Sequence, residues 1–407
     1  MAAPAKARPP LLHKIIDIIS RLLVVGFIAF GGYYYQVHVM GLKDSLTRVA
    51  DELTREKAVN EEQLGKLAEV ANEIDKLKSE DQRVRNDKLE EELKSIQSTY
   101  QAAIVVYDDL VDLRSKTKNT TPFDKDFADA LTKLAQKEFT KAQEIITALK
   151  DKIKKEEDKI AASFIIPQNV PESNTPPGAG YSRQSVSVEG LGNYMVSMVA
   201  GDLSNTRVIV DTASDGNCGN DCPVLPLATY VSRSGAFAGI NGSYFCPADY
   251  ASCAGKTNSF DLLVMNKNKT YFNSDNNVYS TNPAVIFGDG YVRFVTAASQ
   301  WGRDTSPTGV LSNYPLLVFN SQVVFGGDDD PKKGSKGGRS FVASRGNTVY
   351  IGIVHSATVA ESARALRTLG MENALNLDNG GSTALWSGGY KAGPGRNLPN
   401  AILFVRK

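Results

Sequence analysis

Residues 339–357 read RSFVASRGNTVYIGIVHSA, two apolar runs separated by a short polar turn. Runs of Val, Ile, Phe and Tyr bounded by Gly, Asn and Asp are typical of β-strands. The same alternation continues across residues 183–407. One clear helix interrupts it, TVAESARALRTLGM (358–371), in which Thr358 and Glu361 have the spacing of a capping box. We therefore predict a C-terminal α+β domain with a mixed β-sheet.

Composition divides the chain into two unlike parts. The 407 residues carry a formal net charge of +1, so the overall charge does not point to a nucleic-acid partner. Residues 41–160 are crowded with Lys, Glu and Asp, whereas residues 183–407 are rich in Gly, Ser, Asn, Val and Tyr. At roughly 150 residues per domain, this length predicts two or three domains.

An uncharged stretch lies near the N-terminus. Residues 22–42, LLVVGFIAFGGYYYQVHVMGL, contain no Asp, Glu, Lys or Arg, and about 20 apolar residues can cross a bilayer. The stretch predicts a transmembrane anchor, with a cleaved signal peptide as the alternative. Basic residues before it predict a cytoplasmic N-terminus at residues 1–21. The chain is then expected to be a single-pass membrane protein whose C-terminal domain is periplasmic, extracellular or lumenal.

Helical spacing follows the predicted anchor. Over residues 43–164, apolar residues recur every three or four positions with charges between them, which predicts a helical coiled-coil stalk. Pro122 breaks the pattern, and a second helix is expected from about Phe123 to Ile160. The stalk is either a hairpin that doubles back or a homo-oligomer. Residues 165–182 are rich in Pro, Gly, Ser and Asn and predict a linker to a domain at residues 183–407.

All four cysteines lie in the C-terminal part. An even number in one domain predicts two disulfides, with three connectivities open. Free thiols and zinc are the alternatives, because the spacing of the first two falls within that of zinc ligands. The four are Cys218, Cys222, Cys246 and Cys253. Disulfides form in oxidising compartments, which agrees with an extracytoplasmic domain.

Polar groups stand at the ends of predicted strands in four places. They are GINGSYF (239–245), KGGRSFVAS (336–344), the segment Asp378 to Ser382, and PGRNLPNAILF (394–404). A rigid scaffold can hold such groups around one cleft. Arg339 and Arg396 in one cleft suit an anionic group, because guanidinium pairs with phosphate or carboxylate through two hydrogen bonds. Asp378 by itself is more typical of a turn.

The order of these motifs is informative. Asn-Gly-x-x-Phe, an Arg at a strand start, LxLD-x-GGS after a helix, and Arg-x-x-x-Asn-Ala follow one another, and this order resembles the phosphodiester glycosidases over roughly residues 185–407. The chain departs from that family's pattern at Asn379, where a third glycine is usual, and at Ser243, where glycine is common. Neither departure removes the acid or the arginines.

The resemblance implies hydrolysis of a sugar–phosphate glycosidic bond in a glycan or surface polysaccharide. Arg339 and Arg396 are expected to stabilise the phosphate, and Asp378 to act as nucleophile, base or stabiliser of the sugar cation. Ser382 completes the catalytic set. The implied substrate-binding residues are Asn241, Gly242, Gly380, Gly381 and Asn400. Glycosidases usually use two carboxylates, and Asp249, Asp261 and Glu361 remain equal candidates for the second.

Two other functions remain open at this level. The domain is alternatively a non-catalytic glycan-binding or structural surface module displayed on the stalk, or a passenger on a stalk that docks a partner. No cofactor is required by the implied chemistry. The acidic run at residues 328–330 is a calcium site in one interpretation and a solvated loop in the favoured one.

Overall fold

The computed structural model of the chain describes residues 18–21, 24, 33, 79–275, 279–303 and 306–407. The chain divides into two compact units. One comprises Tyr100–Leu131 and Thr140–Lys407, and the other comprises Met1–Thr99 and Thr132–Phe139. The first contains all the β-sheets together with parts of three helices, and the candidate site lies wholly within it.

Three helices precede the sheets: α1 (Ser79–Lys116), α2 (Thr121–Ala135) and α3 (Phe139–Ala162). Their apolar stripes face one another, as period-3.6 spacing requires. The Tyr107 and Phe127 rings lie 5.5 Å apart, and Lys116 Nζ lies 2.5 Å from Glu157 Oε1. Leu110, Ile146, Leu149 and Ile153 are buried. The helices therefore form a packed bundle.

The predicted fold class is wrong for the N-terminal part. Within the residues that the structure describes, no helix is long and apolar enough to cross a membrane. The predicted anchor, residues 22–42, falls outside those residues except for Val24 and Tyr33, and the predicted helical runs between residues 43 and 78 also fall outside them.

The predicted coiled-coil stalk is wrong as well. Residues 100–131 and 140–162 belong to the same compact unit as the β-sheets, and the expected second helix is divided in two between Ala135 and Phe139. The physical reason is that an apolar stripe records burial but does not identify the surface that buries it. The coiled-coil oligomer therefore has no support among the described residues.

The largest sheet has seven strands in the order β1-β2-β13-β12-β14-β10-β11. Their bounds are β1 (Gly180–Val188), β2 (Gly192–Asp202), β13 (Thr348–Ala357), β12 (Gly337–Arg345), β14 (Asn373–Asn376), β10 (Leu316–Phe319) and β11 (Gln322–Val323). α6 (Val359–Thr368) packs on this sheet and starts at the predicted capping box, because Thr358 Oγ1 accepts from the Glu361 N–H.

Two five-stranded sheets complete the unit, in the orders β16-β15-β4-β17-β3 and β6-β5-β9-β7-β8. The first contains β16 (Tyr390–Ala392), β15 (Leu385–Ser387), β4 (Ala238–Asn241), β17 (Asn400–Arg406) and β3 (Thr206–Thr212). The second contains β6 (Tyr271–Phe272), β5 (Val264–Met265), β9 (Gly309–Ser312), β7 (Ala284–Phe287) and β8 (Val292–Val295). The short helices α4 (Leu227–Ser234) and α5 (Pro331–Gly334) lie between strands in sequence.

The prediction of a mixed β-sheet is also wrong. All pairings between these named strands are antiparallel. Strand-like sequence specifies extended backbone but not the direction of the neighbouring strand, so the mixed arrangement could not be tested from the sequence. One buried apolar cluster joins the three sheets, with Val199, Val342, Ile402 and Phe287 among its members.

The predicted disulfides are confirmed. Cys218 bonds Cys222 and Cys246 bonds Cys253, which leaves no free cysteine among the described residues. Both bridges are local, and the second closes the loop that carries Asp249. Disulfides of this kind are typical of an extracytoplasmic domain.

Candidate functional site

The segment after β14 forms the centre of the site. The chain leaves the sheet at Asn376, places Asp378 at the sheet end, and turns through a short 3₁₀ helix at Gly380–Ser382 before β15 begins. Asp378 is only 9% exposed. Its N–H donates to the Gly242 carbonyl at 2.9 Å. The end of β14 is therefore tied directly to the end of β4.

The side-chain amide of Asn241 fixes the Asp378 segment through hydrogen bonds. Its Nδ2 donates to the Asp378 carbonyl at 2.7 Å. Its Oδ1 accepts from Ser340 Oγ at 3.0 Å and from the Ala384 N–H at 3.1 Å. The side chain is fully buried, so its amide fixes the backbone around Asp378.

The two departures from the family pattern have structural reasons. Asn379 Oδ1 accepts from the Ser340 N–H at 2.8 Å, which ties the Asp378 segment to β12. Ser243 Oγ accepts from Asn400 Nδ2 at 2.9 Å, and Asn400 Oδ1 accepts from the Ser243 N–H at 2.9 Å. Both residues therefore add side-chain bonds that glycine cannot make.

Gly242 is required by this arrangement. A Cβ at position 242 would lie 1.9 Å from Asn400 Oδ1 and 2.9 Å from the Asn400 carbonyl oxygen. Both contacts are shorter than atoms tolerate, so the Asn400 side chain would have to leave its bonds with Ser243.

Gly242→Ala is expected to destabilise the domain by about 2 kcal/mol, the usual cost of overpacking a buried site. Urea unfolding would measure it. Gly178→Ala is the matched control, because a Cβ there meets no atom within 4 Å. Equal stability of the two variants would contradict the tight contact.

Burial changes the titration of Asp378. Removal from water raises the pKa of its carboxyl from 3.8 to about 7. The Asp112 carboxylate raises this pKa further, whereas Ser382, the Asn379 N–H and Arg396 lower it. The Asn379 N–H donates to Asp378 Oδ1 at 2.9 Å. The group therefore changes charge near neutral pH.

Ser382 lies beside this carboxyl. Its hydroxyl is buried and has no partner with hydrogen-bond geometry in the described part of the chain, although it is close enough to lower the pKa of Asp378. Buried polar groups normally have partners. An unpartnered hydroxyl next to a titrating carboxyl is a position at which a ligand can accept or donate a hydrogen bond.

Arg396 reaches the same place from the loop before β17. Its N–H donates to the Gly381 carbonyl at 2.8 Å, and a Cβ on Gly381 would lie 2.7 Å from the guanidinium carbon. Its Nε lies 3.1 Å from Asp249 Oδ2, and its Nη2 lies 3.3 Å from Asp112 Oδ1. The guanidinium stacks 4.7 Å from the centre of the Tyr250 ring. Glycine at position 381 thus lets a cation pack against the Asp378 loop.

Arg339 has a different environment. It is buried, its Nε donates to the Ala357 carbonyl at 2.9 Å, and its Nη2 donates to the carbonyls of Lys332, at 3.0 Å, and Ser335. Burial lowers the pKa of its guanidinium. These bonds fasten α5 to the start of β12.

Tyr244 lies within electrostatic range of both Arg339 and Asp378. Its hydroxyl accepts from Asn376 Nδ2 at 2.7 Å, and its ring centre lies 5.0 Å from that of Tyr314. Burial and the charge of Asp378 raise the pKa of Tyr244, and Arg339 lowers it. The site therefore combines a buried carboxyl, Arg396 and a pair of aromatic rings, with Arg339 in electrostatic range of Tyr244.

An acid on a strand end, an arginine packed on a glycine loop and a scaffold of buried amides occur together. Residues 234–405 match the phosphodiester glycosidase family model. The resemblance inferred from the motifs is confirmed over that range. Residues 234–405 are therefore similar to the phosphodiester glycosidases, and this match supports a hydrolase that acts on glycosyl phosphodiester bonds.

Comparisons with other proteins add little to this match. No curated protein matches the chain. The catalytic domain of zebrafish N-acetylglucosamine-1-phosphodiester α-N-acetylglucosaminidase, auto-inhibited by pro-peptide, is 13% identical with a TM-score of 0.43, over 59% of this chain and 87% of that one. A hypothetical protein from Synechocystis is 16% identical with a TM-score of 0.39, over 56% of this chain. The match spans 62% of that protein, which is less than two thirds of its length. The assignment rests on the family match.

The structure brings most of the predicted site residues together. Asp378, Ser382, Gly381 and Arg396 meet directly, and Gly380 begins the 3₁₀ turn with a φ of 65° that favours glycine. The backbone around them is supported by hydrogen bonds that involve Asn241, Gly242 and Asn400. Their contact with substrate, like that of Arg339, stays a prediction.

The three candidates for a second carboxylate are separated by the structure. Glu361 accepts from the Thr358 N–H at 2.7 Å in the capping box and pairs with Lys336 at 3.2 Å. Asp261 acts electrostatically on Tyr314. Asp249 alone of the three contacts Arg396, where it orients the guanidinium.

The structure also places at the site residues that sequence reasoning missed. They are Asp112 from α1, Tyr250, Lys332, Tyr244 and Tyr314. Tyr244 lies inside the GINGSYF motif and could have been found there. Asp112 gave no signal, because it is one of many acids in a charged helix.

Proposed function

We propose that this chain is an extracytoplasmic glycosidase that cleaves the bond between a sugar's anomeric carbon and a phosphodiester oxygen in a glycan or surface polysaccharide. The observation that carries the proposal is the buried Asp378, with Arg396 and the unpartnered Ser382 hydroxyl beside it. The disulfides support an oxidising compartment.

The chemistry follows from the charges. The anomeric carbon–oxygen bond breaks, and the phosphate oxygen keeps the electron pair and leaves as a phosphomonoester. Arg396 stabilises the charge that gathers on this leaving group. Because such a leaving group needs no proton, the useful form of Asp378 is its anion, which stabilises the positive sugar carbon and takes up a proton from the attacking water.

Other residues orient the substrate. Ser382 supplies a hydrogen bond to the sugar or the phosphate, and the Tyr244 and Tyr314 rings provide a surface on which a sugar can pack. We propose that no cofactor is needed, since arginine side chains supply the positive charge that a metal ion would otherwise supply.

Turnover of a sugar-1-phosphodiester by the full chain tests the proposal. An α-N-acetylglucosaminyl phosphodiester is a first substrate, with release of free sugar as the readout, and other sugars follow. Glycan binding without turnover on any of them would favour the alternative of a non-catalytic glycan-binding module.

The pH dependence of this turnover has a predicted sign. Because the pKa of Asp378 is about 7 and its anion is the active form, kcat/KM is expected to rise about tenfold per unit up to pH 7 and then level off. Arg396 stays charged throughout, and Tyr244 and Tyr314 stay neutral because their pKa values are raised. A profile that falls between pH 5 and 8 would contradict the assigned role.

A further inference from the structure

A carboxylate from α1 lies in the glycosidase site. Arg396 Nη2 is 3.3 Å from Asp112 Oδ1, Lys332 Nζ is 3.3 Å from Asp112 Oδ2, and the Tyr250 hydroxyl donates to Oδ1. Three donors from three separate segments thus converge on one side chain. Its charge reaches Asp378, whose titration it affects.

These donors are held in place without Asp112. The Lys332 ammonium lies 4.5 Å and the Arg396 guanidinium 4.7 Å from the centre of the Tyr250 ring. Asp249 fixes Arg396 from the other side, and the disulfide between residues 246 and 253 closes the loop that carries Tyr250. Lys332 and Arg396 then face two acids, Asp112 and Asp249, so withdrawal of Asp112 leaves one surplus positive charge for an incoming anion.

One face of α1 contacts the loop that carries Tyr250. Asp108 and Asp112 lie one turn apart on α1. Asp108 is buried, and its Oδ1 accepts from the Ala251 N–H at 2.8 Å. Asp112 is therefore presented to the cations by a docked helix rather than by a free surface chain.

We infer that the Asp112 carboxylate stands where the substrate's phosphate binds, so that α1 competes with the substrate inside the same molecule. The identity of the anion as a glycosyl phosphate rests on the proposed function. Lys332 and Tyr250 become phosphate ligands together with Arg396. Carboxylate and phosphate cannot share these donors, because both are anions, so binding of substrate requires Asp112 to withdraw.

Titration of inorganic phosphate into the full chain by calorimetry tests this inference. Asp112→Asn removes the charge and keeps the side-chain size. Its phosphate affinity is expected to rise at least tenfold, and KM for the phosphodiester to fall. Asp126→Asn is the control, because Asp126 pairs with Lys152 at 2.6 Å within the helical bundle, and its affinity should equal that of wild type.

A second substitution checks that the gain arises at the named donors. Adding Lys332→Ala to Asp112→Asn is expected to remove most of the gain in phosphate affinity. Asp108→Asn loosens the seat of α1 without touching Arg396, and it should raise phosphate affinity even if the Asp112 variant does not fold.

Several outcomes would overturn the inference. Phosphate affinity that is unchanged or weaker in folded Asp112→Asn would do so, as would loss of turnover without a gain in affinity, which would make Asp112 a catalytic carboxylate. Phosphate titration does not depend on turnover. Failure of the proposed function would instead appear as absence of sugar release in every variant.

Discussion

Asp378→Asn is expected to reduce sugar release by about 10³-fold or more while the domain stays folded. The amide matches the carboxyl in size and can still accept a hydrogen bond from the Asn379 N–H. It cannot take up a proton or carry the negative charge that stabilises the sugar cation. Turnover should be measured at pH 8, where the wild-type carboxyl is ionised.

Asp378→Asn lowers turnover, but it is also expected to raise the free energy of unfolding at pH 8. The pKa of Asp378 is raised from 3.8 to about 7 by burial, so the native state binds a proton more tightly than the unfolded state does. Wild-type stability therefore falls as pH rises from about 4 to about 7 and stays lowered above it, by about 4 kcal/mol at 1.36 kcal/mol per unit. Because Asn does not titrate, the variant should be the more stable protein at pH 8.

Asp289→Asn is a suitable control, since Asp289 is exposed and pairs with Lys407 at 2.8 Å. It should leave both turnover and stability near wild type. An Asp378→Asn protein that keeps its turnover would remove Asp378 from the mechanism. One that is inactive and less stable at pH 8 would show that the carboxyl is a structural anchor.

Arg396→Lys is expected to lower kcat/KM by about 10²-fold or more, the usual effect of removing a donor from a developing charge. Lysine keeps the positive charge but lacks the planar fork that stacks on Tyr250 and contacts both Asp249 and Asp112. The loss should lie mainly in kcat, because the charge on the leaving group grows as the bond breaks.

Arg207→Lys provides the comparison, because Arg207 is exposed on β3 and lies outside the site. Thermal unfolding of both variants would show whether lost activity follows lost structure. If kcat/KM of the two variants is the same, the stabilisation of the leaving group must come from another residue. Arg339 would then be the next cation to test.

The sequence alone indicated the family that the C-terminal domain resembles. Strand-like runs with polar ends indicated a β-rich scaffold, and four motifs in a fixed order indicated the family. These inferences were possible because Asp378, Gly381 and Arg396 each need a particular residue type at a particular strand end, and that need is visible in a linear string.

Tertiary structure decided everything that depends on which surfaces meet. The apolar stripe of residues 100–162 is also typical of a coiled-coil stalk, but in the structure it is buried within a helical bundle. Asp108 and Asp112 of α1 contact the loop at Tyr250. Strand direction was undecided for the same reason, since extended backbone pairs either way. Burial of Asp378, which sets its pKa, also depends on neighbours that are distant in sequence, Asp112 among them. Local sequence encodes residue type and periodicity, whereas the electrostatic potential and the solvent exposure of a site depend on the whole fold.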